Sequence, residues 1–325
     1  MQGPLISVVT CAYNGDRFLP RCYATLLAQT CSQWEWIVVD DGSTDETQSR
    51  LQEISRLEPR LRVVTLDKNQ GRAIARTRAL EAVRGDWIAL WDVDDFFFPD
   101  RLEAIRVAAL EAYDFWVSLA VQTTLDLRVR GIQAFDRPFP GRDFRIGLHG
   151  AMAFRADLGR AIGYAPHLKT YGGMGEDAAI MLETAFRSRG KFDERPLMVN
   201  VTGNEVVLEK SLASRQIVIE TLERLWQEGA IGVKAQELEG CIRRLRLRNR
   251  VLGWLRACPW LYPRIMQLRL RGERTFQVTL SPARREFLER VARDLPAKGH
   301  DSVLAALPWQ KVALLWQADE PARES

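Results

Sequence analysis

The chain has 325 residues, 46% hydrophobic and 27% charged, with a net charge of +4. That composition excludes wholesale disorder, a collagen-like repeat and a small disulfide scaffold, and the modest charge excludes a chain built throughout for nucleic acid. Cys11, Cys22, Cys31, Cys241 and Cys258 show no metal-ligand spacing and are expected as free thiols of a reducing compartment. No basic leader opens the sequence and no run reaches 18 uninterrupted apolar residues. Neither a signal peptide nor a membrane span is therefore expected, and the cytoplasm is the default location.

In chain order, ISVVTCAY, WEWIVVDD, LRVVTL and DWIALWD are short apolar runs that end in polar or acidic residues. They predict parallel strands covered on both faces. Helical periods separate them, with Phe18, Cys22, Leu26 and Leu27 on one apolar face and Ile74, Thr77, Leu80 and Val83 on another. The alternation predicts an open α/β sheet with right-handed crossovers, whose ligand lies beyond the carboxyl ends of the strands. Those ends carry Cys11-Ala12-Tyr13-Asn14, Asp40-Asp41-Gly42-Ser43 and Asp92-Val93-Asp94-Asp95. YDFWVSLAVQTTL predicts another strand, followed by an irregular stretch to His149. A glycine run, Gly172-Gly173-Met174-Gly175, then precedes Glu176-Asp177 and a helix that Gly190 is expected to close as the residue after its cap. KFDERPLMVNVTG predicts a late strand. From Glu209 onward the sequence reads as helices broken at Gly229, Pro259, Pro263 and Pro282, which places a boundary near residue 205.

The carboxylates of Asp92, Asp94 and Asp95 repel one another unless a cation or a donor network compensates them. A divalent ion bridging them to a substrate diphosphate is one solution; an acidic turn capping the next helix is the other. At the neighbouring strand ends Asp41 could accept from a base or ribose and Tyr13 could pack on a base, while Asn14-Gly15 also reads as a simple turn. Asp177 reads either as a helix-start acid that complements the dipole or as a general base behind a glycine-rich loop. Trp34, Trp36, Trp87 and Trp91 are expected in the core, as are at least two of Phe96, Phe97 and Phe98. His167 and His300 are expected to be structural or on the surface.

The string SVVTCAYNGDRFLPRCYATLLAQTCSQWEWIVVDDGSTDET resembles the nucleotide-binding half of family 2 glycosyltransferases, NQGRAIARTRALEAVRGDWIALWDVDD resembles their Asp-x-Asp signature, and GMGEDAAIMLETAFRSRG is similar to their Glu-Asp helix start. The resemblance covers about residues 5–200 and implies the GT-A fold. It implies a GT-A domain over 1–205, with a nucleotide-sugar half over about 1–112 and an acceptor half over about 113–205, then a helical, arginine-rich region over 206–325. By resemblance Cys11, Ala12, Tyr13, Asn14 and Asp41 line the nucleoside pocket and Arg76 helps to hold the nucleotide. Asp92 and Val93 approach the ribose or sugar, Asp94 ligates Mn²⁺ or Mg²⁺, and Asp177 activates the acceptor. Glu176, His149 and Asp95 are accessory or acceptor-side candidates, and for His149 a plain structural role is equally open.

Three departures from the family pattern stand out. Thr77-Arg78-Ala79 replaces the usual Asn-x-Gly, Cys11 is a poor hydrogen-bonder where relatives carry Thr or Ser, and the Gln-x-x-Arg-Trp signature of processive synthases is absent. The expected activity is a single, inverting, metal-assisted transfer from a nucleotide sugar, a UDP-sugar, to a glycan or lipid-linked acceptor. The alternatives are a sugar-1-phosphate nucleotidyltransferase, for which a basic glycine-rich loop is missing, and a binding protein that works through its basic helices. Residues 241–274 hold ten arginines against one acid, Glu273, so the remainder of the chain is net negative. Interleaved Trp254, Trp260 and Tyr262 favour an anionic membrane surface over nucleic acid, at the inner face of the cell membrane; packing on the catalytic domain is the competing reading.

Overall fold

Strands rich in Val, Ile and Trp on both faces need a cover on both sides, and the chain supplies it with helices. The structure is a computed structural model and describes residues 3–124, 127–133, 148–164, 175–201, 208–254, 280–295 and 309. Strands β1 (Ile6–Ala12), β2 (Trp34–Asp40), β3 (Leu61–Thr65) and β4 (Trp87–Leu90) pair in parallel in the order β3-β2-β1-β4. Helices α1 (Leu19–Leu27), α2 (Thr47–Leu57) and α3 (Arg72–Ala82) make the crossovers. The chain leaves β1 toward β3 on one side and returns to β4 on the other. A topological switch point therefore opens between the ends of β1 and β4.

The second half turns this sheet mixed. After β5 (Phe96–Phe97) and α4 (Arg101–Leu110) come β6 (Phe115–Thr123) and β7 (Val129–Gln133). A turn at His149–Ala151 leads to β8 (Met152–Arg155) and α5 (Ala156–Ile162), and then come α6 (Glu176–Arg187) and β9 (Gly190–Val201). β8 pairs antiparallel with both β4 and β6, and β9 runs parallel to β6. The resulting order is β3-β2-β1-β4-β8-β6-β9-β5, with β7 on β6. Glu35, inside β2, is buried but satisfied: its Oε1 accepts from Ser7 Oγ at 2.6 Å and from the Arg84 and Gly85 amides at 2.7 and 3.1 Å. Trp34, Trp36, Trp87 and Trp91, with Phe96, Phe97 and Phe98, are all buried, as their sequence pattern predicts.

Three local expectations change. The buried side of α3 is carried by Ala73, Ala75, Arg76, Ala79 and Leu80; Leu80 and Val83 are buried as expected, but Ile74 and Thr77 are only half-buried. Pro282 starts a helix instead of breaking one, at the first turn of α9 (Pro282–Asp294), where its missing amide costs nothing. Gly190 does not close α6, which ends at Arg187 with an extended Ser188; Gly190 opens β9 opposite Phe115. A Cβ there would lie 1.8 Å from the fully buried Phe115 ring. Gly190→Ala gains at most about 1 kcal/mol from the unfolded chain. The overpacking outweighs it, for a net loss of about 1–3 kcal/mol. A lower urea midpoint at unchanged slope is the expected result.

The helices α7 (Leu208–Gln227) and α8 (Ala235–Trp254) share a second apolar cluster with α6, built on Leu182, Phe186, Leu222, Leu225, Leu238 and Ile242. α9 returns to the main core through Phe287, Leu288 and Val291, and Arg284 reaches Asp100 at 2.7 Å. Among the described residues no helix is long and apolar enough to cross a membrane. Gly172–Met174, His167, Pro259, Trp260, Tyr262, Pro263 and His300 lie outside the described residues.

Candidate active site

A cleft of about 710 Å³ opens at the switch point. From the end of β1 it takes Cys11, Ala12 and Tyr13; from the loop after β2, Asp41; and from the end of β4, Asp92, Val93, Asp94 and Asp95. Arg76 enters from α3, His149 and Gly150 from the turn before β8, and Asp177 from the first turn of α6. Thus residues separated by more than 160 positions in sequence meet in one cavity. Of the sequence candidates, Asn14 and Glu176 do not line it.

Asn14 instead ties two strand ends together. Its backbone is left-handed, with φ 51°, its Oδ1 accepts from the Thr44 amide at 2.8 Å, and its own amide donates to Ser43 Oγ at 2.9 Å. Asp41 is engaged as well: Oδ1 accepts from the Gln70 amide at 2.8 Å and Oδ2 from the Gly71 amide at 2.9 Å. It thereby fixes the Asn69–Gly71 loop, whose side of the cleft the strand pattern did not signal. Gly71 has φ 90°, and nothing lies within 4 Å of where its Cβ would be, so this wall stays open to a ligand. Tyr13 is 49% exposed at the rim. Burial, only partly offset by Arg76, pushes the Cys11 thiol up to about 12, so it stays neutral and weakly polar.

The acidic triplet divides its labour. Asp95 is buried and faces β9, accepting from Asn200 Nδ2 at 3.1 and 3.2 Å and from the Val201 amide at 2.9 Å. Burial, then Asp94 and Asp92, raise its pKa well above the usual carboxylate range. Asp92 is half-buried and Asp94 exposed, both toward the cleft. Among the described residues no three His, Cys, Asp or Glu side chains converge as a complete metal cage. This donor set suits a hard cation that takes one or two carboxylates and fills its shell with phosphate oxygens and water.

Behind the cleft, Arg76 Nη1 donates to Glu176 Oε1 at 2.6 Å, and Arg76 Nη2 lies 3.5 Å from Asp92 Oδ1. Burial alone would lower the Arg76 pKa, but Asp92 first and then Tyr164 and Glu176 reverse this and keep the guanidinium charged. Glu176 is completely buried, and burial raises its pKa against the pull of Arg76. The pair therefore links the start of α6 to the Asp92 side of the cleft. Arg76→Ala should cost about 3 kcal/mol, the lower end for breaking a buried pair, because Glu176 can take up a proton. A loss of unfolding free energy below about 1 kcal/mol, from denaturant titration, would show that the pair is solvated.

His149 is buried, with Nε2 2.8 Å from the Tyr164 hydroxyl, a partner that nothing in the sequence pattern marked. Gly150 is needed beside it, since a Cβ there would stand 2.9 Å from Asp92 Oδ2. Asp177 is half-buried, and its Oδ1 accepts from the Ala178 amide at 2.8 Å.

Residues 7–127 match the family model described as Glycosyl transferase family 2. Over this stretch the chain is similar to family 2 glycosyltransferases. TuaG of Bacillus subtilis (strain 168), named as a teichuronic acid biosynthesis glycosyltransferase, is 41% identical over 100 residues, 31% of this chain and 40% of TuaG. The match thus spans less than half the length of that relative. The structure is similar to S. aureus TarS 1–349 in complex with UDP-GlcNAc, with a TM-score of 0.59 at 16% identity, covering 98% of this chain and 93% of that one. Mannosyltransferase PcManGT from Pyrobaculum calidifontis, in complex with GDP-Man and Mn²⁺, gives 0.53 at 17% identity, with coverages of 98% and 89%. The fold is GT-A.

Proposed function

We propose that the protein is an inverting, single-addition glycosyltransferase that moves a sugar from a nucleoside diphosphate sugar, with uridine the expected base, to an acceptor hydroxyl of a cell-surface glycan. The observation that carries this reading is the single cleft in which Asp92 and Asp94, at a strand end, share a cavity with Asp177 from a distant helix. Two kinds of carboxylate are needed for such a transfer. One side must hold the leaving diphosphate and the other must take the acceptor's proton.

In this reading Tyr13 stacks on the base, and the Asn69–Gly71 loop, fixed by Asp41, walls the nucleoside. Asp94, with Asp92 behind it, holds a divalent cation, Mn²⁺ or Mg²⁺, which when bound supplies Lewis-acid stabilisation of the departing diphosphate. Arg76 acts through its two carboxylate partners, orienting Asp92 and anchoring α6 by Glu176. Asp177, steadied at Oδ1 by the Ala178 amide, takes the acceptor proton on its other oxygen. The named ligands of the fold relatives, UDP-GlcNAc in one and GDP-Man with Mn²⁺ in the other, support a nucleotide-sugar donor and a divalent ion. The name of TuaG supports a cell-surface polysaccharide as acceptor class.

A thermal-shift panel of UDP, GDP and their sugars, with and without Mn²⁺, tests the reading. A ligand at 100 times its Kd adds about 2.7 kcal/mol of stability. A clear Mn²⁺-dependent rise with UDP or a UDP-sugar is expected, and no response to any nucleoside diphosphate would overturn the proposal.

A further inference from the structure

Helix α8 carries two opposed faces. Leu238 and Ile242 are buried against α6 and α7, with Leu245 half-buried beside them. On the opposite side Leu247 and Val251, one turn apart, are 61% and 59% exposed. At 3.6 residues per turn, Arg243 and Arg250 flank this apolar pair on one side and Arg244 and Arg248 on the other. All four arginines are exposed, and none has a carboxylate partner among the described residues. Their neighbour Arg246 differs, pairing with Glu223 of α7 at 2.7 Å. Trp226, three residues beyond Glu223 and so on the same side of α7, is also exposed. The acids of α8, Glu237 and Glu239, stay at its N-terminal end, and none occurs from Gly240 to Trp254.

The bland account is a solvated helix face. It explains the arginines but not the two large aliphatic side chains held in water at their centre. Soluble polyanions satisfy guanidinium groups without any apolar contact, and nucleic acid would ask for aromatic or hydrogen-bonding side chains between the charges. An apolar strip bordered on both sides by long cationic side chains fits a surface that is oily beneath and anionic on top. The aliphatic groups enter the acyl boundary while the arginine stems lie along it and their heads stay with lipid phosphates.

We infer that the exposed face of α8, centred on Leu247 and Val251 and bordered by Arg243, Arg244, Arg248 and Arg250, is a docking surface for an anionic lipid bilayer. The inference is independent of the transferase reading, since binding to a membrane needs no catalysis. Its charge complementarity also has a long-range side, because ten arginines crowd residues 241–274 while the rest of the chain is net negative.

Co-sedimentation of the full chain with phosphatidylcholine vesicles, with and without 30% phosphatidylglycerol, reads the inference directly. Binding is expected only with the anionic lipid and should fade as salt rises, because attraction decays over about 10 Å at 0.1 M ionic strength. Each arginine near the surface is worth about fivefold in partitioning. Replacing Arg243, Arg244, Arg248 and Arg250 with glutamine should thus lower binding at least tenfold, while the same four changed to lysine should retain it. L247S/V251S should weaken binding several-fold with all charges in place. Because these side chains are exposed, an unchanged circular dichroism melt is expected for every variant, and the lysine variant controls for misfolding. No binding to anionic vesicles at low salt overturns the inference, as does binding equal to neutral vesicles or unmoved by the glutamine changes. Full binding by L247S/V251S, or binding to heparin but not to vesicles, would assign the face to a soluble polyanion and equally overturn it.

Discussion

Replacing Asp177 with asparagine is expected to lower the rate of transfer by about 10²–10⁴-fold while leaving donor affinity within a factor of about two, the pattern of a lost general base. The side chain keeps its size and its Oδ1 can still accept from the Ala178 amide. Helix α6 therefore retains its start, and only the proton acceptor is removed. The competing role, an acid that complements the helix dipole, predicts a different result. Loss of such a charge costs about 0.3–1 kcal/mol of stability and leaves the chemistry intact. Single-turnover rates and donor affinity measured on the same preparation separate the two, and a near wild-type rate would leave Asp177 only the structural role.

Asp94→Asn has its largest expected effect at the other end of the reaction. Asp94 is the most exposed of the three carboxylates in the cleft, whereas Asp92 is half-buried and Asp95 buried. Asp94 is thus the carboxylate of the three best placed to give a negative charge to a cation. An amide keeps the shape but supplies a much weaker ligand for a hard ion. Mn²⁺-dependent nucleotide affinity should fall at least tenfold, with affinity in the absence of metal unchanged. Equal affinity of variant and wild type in Mn²⁺ would remove Asp94 from the metal-binding role.

Much of this arrangement was legible in the sequence because it is local. A strand buried on both faces must be apolar along its whole length, so the four parallel strands and the polar residues at their ends stand out, and the switch-point rule then brings those ends together. What was not legible depends on partners far along the chain. Asp95 looks equivalent to Asp92 and Asp94 until β9 places Asn200 beside it, 105 positions away. Asn14 reads as a ligand contact, and its role in tying the strand ends together, through its amide to Ser43 and its Oδ1 from Thr44, had no local signal. The apolar period of α3 misplaced its face because Arg76 is buried there, which Asp92 and, 100 residues on, Glu176 make tolerable. Gly190 carries a helix-closing signature, but a ring from another strand decides its use. Tyr164 and Asn200 had no local signal.

Anomalous scattering from Mn²⁺ in crystals of the protein grown with UDP tests the central claim most directly, because it locates the ion and the nucleotide together. The account predicts an anomalous peak within coordination distance of the Asp94 carboxylate and touching the diphosphate, with the base lying between Tyr13 and the Asn69–Gly71 loop. A peak that avoids Asp94, or a nucleotide bound outside this cleft, would contradict it.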